Sequence, residues 1–156
     1  MTLLEERIQC PALMAKVTPV EEAVKHVKHG DVVGISGFTK SGDPKVFLPA
    51  LAKHFAANAP DARITLLSGA SLAEEVENPI APFVGARGPY MSSGIARKMI
   101  HAGKMEFFDQ HLSVFARGMM YGFYGDIDVA VVEVSRIRRD GTVILSSSVE
   151  IGRAHV

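Results

Sequence analysis

Cysteine is nearly absent: Cys10 is the one thiol in 156 residues. That excludes an internal disulfide framework and a cysteine-rich zinc site, and it fits a reducing compartment. Neither sign of charge is in excess. Lys+Arg 17 balances Asp+Glu 17, so the basic surplus of a dedicated nucleic-acid binder is missing, as is the imbalance of a disordered acidic tail. No uninterrupted apolar run approaches the roughly 20 residues that span a bilayer. Glu5, Glu6 and Arg7 stand where a secretory signal would be apolar. A cytoplasmic protein without nucleic-acid or membrane partners is the expectation. What is present is 47% hydrophobic residues against 22% charged, enough for one globular domain with a sizeable core.

The chain alternates between helical and extended patterns. Thr18, Pro19 and Glu21 look like a helix start with a capping box, and Gly30 looks like its stop. Val32–Ile35 is short and β-branched, as a buried strand would be. A glycine-rich turn over 36–44 leads to a helix expected over 45–58, with Val46, Leu48, Leu51, Ala52 and Phe55 facing inward. Ile64–Leu67 predicts a second strand. Beyond it, a short helix is expected over 72–76 and irregular chain over 78–89, where three prolines and two glycines fall. A helix over 93–101 and a strand over 105–108 follow. Residues 127–134 make the clearest strand, and Asp140-Gly141 signals a hairpin turn into 142–145. This rhythm predicts an α/β fold: a mainly parallel open sheet with flanking helices.

Four segments carry candidate chemistry. The turn Gly37-Phe38-Thr39-Lys40-Ser41-Gly42-Asp43-Pro44-Lys45 follows a strand and opens a helix, the place where open α/β sheets bind ligands. It is not a P-loop. Asp43-Pro44 stands where Gly-Lys-Ser/Thr is needed; the carboxylate repels phosphate and the proline lacks an N–H. A small-anion site and a plain connecting turn both remain open. Gly69, Ala70 and Ser71 follow the second strand, where small residues let a ligand approach; a helix cap at Ser71 is the favoured reading there. Asp126 and Asp128 share a face, but at the amino end of their strand, which argues against a metal site. Glu133 is expected to pair with Arg136 or Arg138. The six histidines show no metal-ligand spacing and read as structural. The run Met119-Met120-Tyr121-Gly122-Phe123-Tyr124 is expected in the core.

As a set, these segments resemble a known family. The sequence runs through His29-Gly30-Asp31-Val32-Val33-Gly34, Ser36-Gly37-Phe38-Thr39, Gly42, Pro44-Lys45 and Leu66 to Ser71. It continues with Phe108-Asp109-Gln110-His111-Leu112, Tyr121-Gly122-Phe123, Gly125 to Ala130, Val132-Glu133 and Ser146-Ser147-Ser148-Val149. This is similar to the amino-terminal half of the acetyl-CoA hydrolase/transferase family, class I CoA-transferases acting on acetate, succinate or propionate. The resemblance implies a CoA-transferase-like amino-terminal domain over 7–149 of an enzyme about three times as long. It implies ping-pong transfer of CoA between an acyl-CoA and a small carboxylate through a glutamyl thioester. The nucleophilic glutamate and most CoA contacts belong to the carboxyl-terminal half. Coenzyme A is therefore expected as substrate, with no permanently bound cofactor and no metal, and a homodimer is expected at full length. No catalytic residue is assigned in this stretch. Gly37, Phe38, Thr39, Gly42, Pro44, Lys45, Gly69, Ala70 and Ser71 are implied to form the substrate-facing wall. The alternative is a self-contained α/β module for a small anion.

The family pattern continues past Val149 with more sheet, whereas this chain reads Glu150-Ile151-Gly152-Arg153-Ala154-His155-Val156. Those seven residues match the translated start of a common sequencing adapter. Residues 150–156 are accordingly expected to be a non-native tail on a truncated domain.

Overall fold

The computed structural model describes residues 2–147; the expected non-native tail lies outside them. The chain opens with α1 (Leu3–Arg7) and α2 (Pro11–Met14). Thr2 and Glu5 cap α1 reciprocally. Then come α3 (Val20–Ala23), β1 (Val32–Ile35), β2 (Phe38–Thr39), α4 (Phe47–Asn58), β3 (Ile64–Leu67), β4 (Ala70–Ser71) and α5 (Glu74–Ile80). The remainder is β5 (Val84–Gly88), α6 (Gly94–His101), β6 (Glu106–Phe107), α7 (Leu112–Met120), β7 (Val129–Val131), β8 (Val134–Ile137) and β9 (Val143–Leu145).

Five strands form one sheet in the order β6-β5-β3-β1-β7, and every neighbouring pair is parallel. The expected joining of Val32–Ile35, Ile64–Leu67 and the strand after Ile127 into one parallel sheet is borne out. Two further ladders stand apart: β2 with β4, parallel, and β8 with β9, antiparallel. The latter is the hairpin signalled by Asp140-Gly141; Thr142 N–H donates to Asp140 Oδ1 at 2.9 Å.

One face of the sheet carries the main core. Val33, Ile35, Ile64, Leu66 and Val84 meet Leu48, Leu51 and Phe55 of α4 and Val76 and Ile80 of α5. The other face is covered by α7, whose Phe115 and Met119 pack with Leu67 and, less deeply, Val32, Phe108 and Tyr124. Among the described residues no helix is long and apolar enough to cross a membrane.

Several expectations are corrected. The helix from Pro19 is one turn, Val20–Ala23, followed by a 3₁₀ turn over Val24–His26; Pro19 itself is the cap residue and Thr18 caps nothing. Val46 points outward, at 66% exposure, because α4 begins only at Phe47. The short helix expected over 72–76 is instead α5, starting at Glu74. Residues 78–89 are not irregular: Pro79 sits inside α5, Pro82 in a 3₁₀ turn, and the proline-free stretch between Pro82 and Pro89 holds the inner strand β5, between β6 and β3. Gly88 serves close packing, for a Cβ there would stand 2.8 Å from Phe108 Cβ. The strand expected over 127–134 divides into β7 and β8. Its partner β1 ends at Ile35, and Ser36 Oγ takes the N–H of Glu133 (2.9 Å) where the ladder stops.

The stretch 119–124 also departs from expectation. Met119 is buried, but Tyr121 and Phe123 are 68% and 75% exposed, as is most of Met120. Positive φ at Gly122 (71°) and Gly125 (86°) turns the chain sharply after α7 and leaves these side chains outside. Replacing Tyr121 and Phe123 together with serine should lower the fluorescence of an apolar dye bound to the chain at least about twofold while leaving far-ultraviolet circular dichroism unchanged.

Candidate functional site

The site is built where strands β1 and β3 end side by side. Chain leaving β1 enters the loop 36–45, and chain leaving β3 enters 68–73. The ladder β2–β4 zips the two loops together beyond the sheet, with Phe38 opposite Ala70 and Thr39 opposite Ser71. Leu72 N–H adds a bond to Thr39 O at 3.2 Å. The loop after β5 joins as well: Ser71 N–H donates to Tyr90 O (3.0 Å), and Ser92 N–H donates to Ser71 O (3.1 Å). Two segments that the sequence singled out separately are thus one surface at the carboxyl edge of the sheet, where parallel α/β sheets place their ligands.

The first loop is pinned from within. Ser36 Oγ donates to Gly42 O at 2.8 Å, and Phe38 and Ser41 exchange backbone bonds of 2.9 and 3.1 Å. Gly37 and Gly42 hold φ of 116° and 74°, values that favour glycine. Thr39 holds 61° without being glycine, a strain of about 1–3 kcal/mol that its ladder bonds hold in place. Phe38 is exposed, Gly37, Gly42 and Pro44 are buried, and Lys45 lies at the surface. Lys45 stands 3.8 Å from Glu133, so Glu133 pairs with this lysine and not with Arg136 or Arg138. Both side chains are well exposed, and the pair contributes little stability.

In the second loop Gly69, Ala70 and Ser71 are all buried. Ser71 does not cap a helix. Ala73 precedes α5 with no side-chain cap, and Ser71 Oγ has no hydrogen-bond partner among the described residues. A buried hydroxyl without a partner is costly in a resting fold.

Beneath both loops lies a polar cluster absent from the sequence reading. Arg87 of β5 is fully buried. Its guanidinium pairs with Glu77 of α5 and donates to Ser68 Oγ (2.7 Å), Gly88 O (2.6 Å) and Leu66 O (3.4 Å). One side chain therefore ties the ends of β3 and β5 to α5. Asp43 lies in the same region, 1% exposed, and neither carboxylate oxygen has a partner among the described residues. Burial pushes its carboxyl up to about 6, the charge of Glu77 adds to the rise, and Lys45 and Arg87 oppose it. Asp43 thus favours folding most while protonated, below about pH 4, and that contribution is lost as pH rises through about 6. An acid between glycine and proline in a loop reads as solvated, and no local signal marks it as buried.

Asp128, His111 and His29 have structural employment. Asp128 Oδ2 accepts Val32 N–H at 2.9 Å, at the amino end of β1. His111 caps α7, accepting Ser113 N–H, and His29 Nδ1 accepts Arg63 N–H at 3.1 Å.

A parallel sheet carrying a zipped pair of loops at its carboxyl edge defines an α/β domain. More particularly, the chain belongs to the acetyl-CoA hydrolase/transferase family: the model of its N-terminal domain matches residues 1–156. The chain is 41% identical over 134 residues to a propanoyl-CoA:succinate CoA transferase of Escherichia coli, covering 82% of this chain and 27% of that protein. It is 37% identical over 158 residues to an acetyl-CoA hydrolase of Eremothecium gossypii, covering 94% of this chain and 30% of that one. The fold is similar to glutaconate coenzyme A-transferase from Acidaminococcus fermentans, with a TM-score of 0.54 and 25% identity, over 69% of this chain and 35% of that one. The chain spans under a third of the length of the Escherichia coli and Eremothecium gossypii relatives.

Proposed function

We propose that this chain is the amino-terminal domain of an acyl-CoA:carboxylate CoA-transferase or acetyl-CoA hydrolase. In that reading the loops 37–45 and 69–71 form one wall of the acyl site. The observation that carries it is the ladder β2–β4, which brings both loops of the family pattern into one surface. Gly37, Phe38, Thr39, Gly42, Pro44 and Lys45 line one side of this wall and Gly69, Ala70 and Ser71 the other. Ser71 Oγ, buried and without a partner among the described residues, is suited to donate to a substrate carbonyl or carboxylate. Coenzyme A is a substrate here, not a resident group, and its co-substrate is a small carboxylate such as acetate, succinate or propionate. The nucleophile is a glutamate beyond this chain: its carboxylate attacks the thioester carbonyl and expels CoA thiolate, leaving an acyl-glutamyl anhydride. The thiolate attacks the glutamyl carbonyl and releases the first carboxylate, leaving a glutamyl thioester. A second carboxylate then takes up CoA by the reverse steps, or water cleaves the thioester to glutamate and free CoA. A homodimer in the cytoplasm is the setting we propose for the longer protein. The reading as a self-contained anion-binding module is weakened by Asp43, a buried acid without a partner among the described residues, under the loop that an anion would have to approach.

A CoA-transfer assay on this chain and on the longer protein, side by side, tests the proposal. The 156-residue chain should show no turnover with any acyl-CoA and carboxylate pair, and the longer protein should turn over. In the latter, Ser71→Leu or Gly42→Val should lower turnover by about 10²-fold, because a misplaced wall misaligns the acyl group. Turnover by this chain that disappears in Glu133→Ala would instead make Glu133 the nucleophile, and absence of CoA transfer in the longer protein would overturn the reading.

A further inference from the structure

Asp43 is a titratable group that the proposed chemistry does not use, and its setting is unusual. It is sealed from solvent, yet no donor reaches either carboxylate oxygen among the described residues. It also supports the loop directly: a Cβ added to Gly37 would stand 2.7 Å from Asp43 Oδ1 and 3.0 Å from its backbone nitrogen. The carboxyl therefore lies against the second residue after β1. The charged groups acting on it come from each surrounding element: Lys45 from its own loop, Glu75 and Glu77 from α5, and Arg87 from β5. Arg87 is already engaged by Glu77 and by Ser68, and Lys45 is drawn toward Glu133. Both cations oppose the rise, but neither donates a hydrogen bond to the Asp43 carboxylate among the described residues.

We infer that Asp43 is a proton-linked positioning residue for the loop 37–45: protonated, its carboxyl packs beneath Gly37 and keeps the loop closed on the β2–β4 ladder; ionised, it drives the loop open to reach water. An ionised carboxylate in this position lacks donors and faces the negative charges of α5, so the closed loop binds the proton more tightly than the open loop does. In the closed form the carboxyl titrates near 6; in the open, solvated form it returns to the ordinary 3.8. Linkage then sets the sign. Opening becomes easier as pH rises from about 4 to about 6, by up to about tenfold per pH unit, and levels off above that. The wall thus opens more readily near neutral pH than at pH 4, and a neutral Asp43 favours the closed form. The link to substrate handling rests on the CoA-transfer reading; the proton linkage of the loop itself does not.

Amide hydrogen exchange of residues 37–42, measured from pH 4 to pH 8 and corrected for intrinsic rates, tests the inference without substrate. In the wild-type chain the opening constant should rise at least about tenfold between pH 4 and pH 6 and then hold level. In Asp43→Asn, which cannot ionise, it should stay flat and low. A flat wild-type profile, or the same rise in Asp43→Asn, overturns the inference. If Asp43→Asn does not fold, the Asp43 carboxyl carbon shift in the wild type decides. A titration midpoint near 6 that coincides with the levelling of loop exchange supports the device, and a midpoint near the ordinary 3.8 overturns it. Loss of CoA transfer in the longer protein would count against the proposed function and leave this result standing.

Discussion

Glu77→Ala is expected to lower the free energy of unfolding by about 3–5 kcal/mol, the largest single effect in this domain. The partner left behind is the reason. Arg87 is fully buried in β5, and Glu77 is its only carboxylate ion-pair partner among the described residues. Without Glu77 the guanidinium retains bonds to Leu66 O, Gly88 O and Ser68 Oγ, but its Nε–H and one Nη2–H lose their acceptor and its charge is left unpaired. Removing both charges is a different experiment. Glu77→Leu with Arg87→Met takes away the desolvated pair together and should recover most of the loss, since a buried ion pair against an apolar replacement is often close to neutral. Urea denaturation of the three chains measures this. A loss below about 1 kcal/mol for Glu77→Ala would mean that water or another group compensates Arg87.

Gly37→Ala should cost about 2–4 kcal/mol, lowering the melting temperature by roughly 10 °C. Two terms add. The backbone at Gly37 has φ of 116°, which a side chain strains, and the new Cβ would meet Asp43 Oδ1 at 2.7 Å and Asp43 backbone atoms at 3.0 and 3.1 Å. Backbone cannot step aside as a flexible side chain can. Gly30 provides the comparison: its φ is also positive, at 91°, yet nothing lies within 4 Å of its added Cβ. Gly30→Ala should therefore show only the conformational term, about 1 kcal/mol. Calorimetry on both variants separates strain from collision. Equal losses at the two positions would show that the Asp43 contact yields.

Local patterning carried much of the architecture. Val32–Ile35 and Ile64–Leu67 were legible to the residue, because a short β-branched run between a helix stop and a glycine turn has few other uses. The crossover through α4 then required parallel pairing. Chain 84–88 was hidden because the prolines and glycines of 78–89 read as breakers, whereas the prolines lie outside β5 and Gly88 is there for its close contact with Phe108. The strand expected over 127–134 was overextended for the opposite reason. Its pattern favours extended chain throughout, but a strand lasts only while a neighbour pairs with it, and β1 ends first.

The candidate loops divide in the same way. Glycine placement and the strand-to-helix position marked 37–45 and 69–71 from sequence, since positive φ and close backbone approach are properties of single residues. Their meeting in the β2–β4 ladder, the burial of Asp43 without a partner among the described residues, and the pairing of Glu77 with Arg87 and of Glu133 with Lys45 depend on segments distant along the chain being folded together. Desolvation and Coulomb interaction act through space and leave no periodic trace along the chain. The strands Val32–Ile35 and Ile64–Leu67, their parallel pairing in one sheet and the family followed from residue patterns along the chain; the electrostatic state of the site belongs to the tertiary structure, because burial decides what a charge costs.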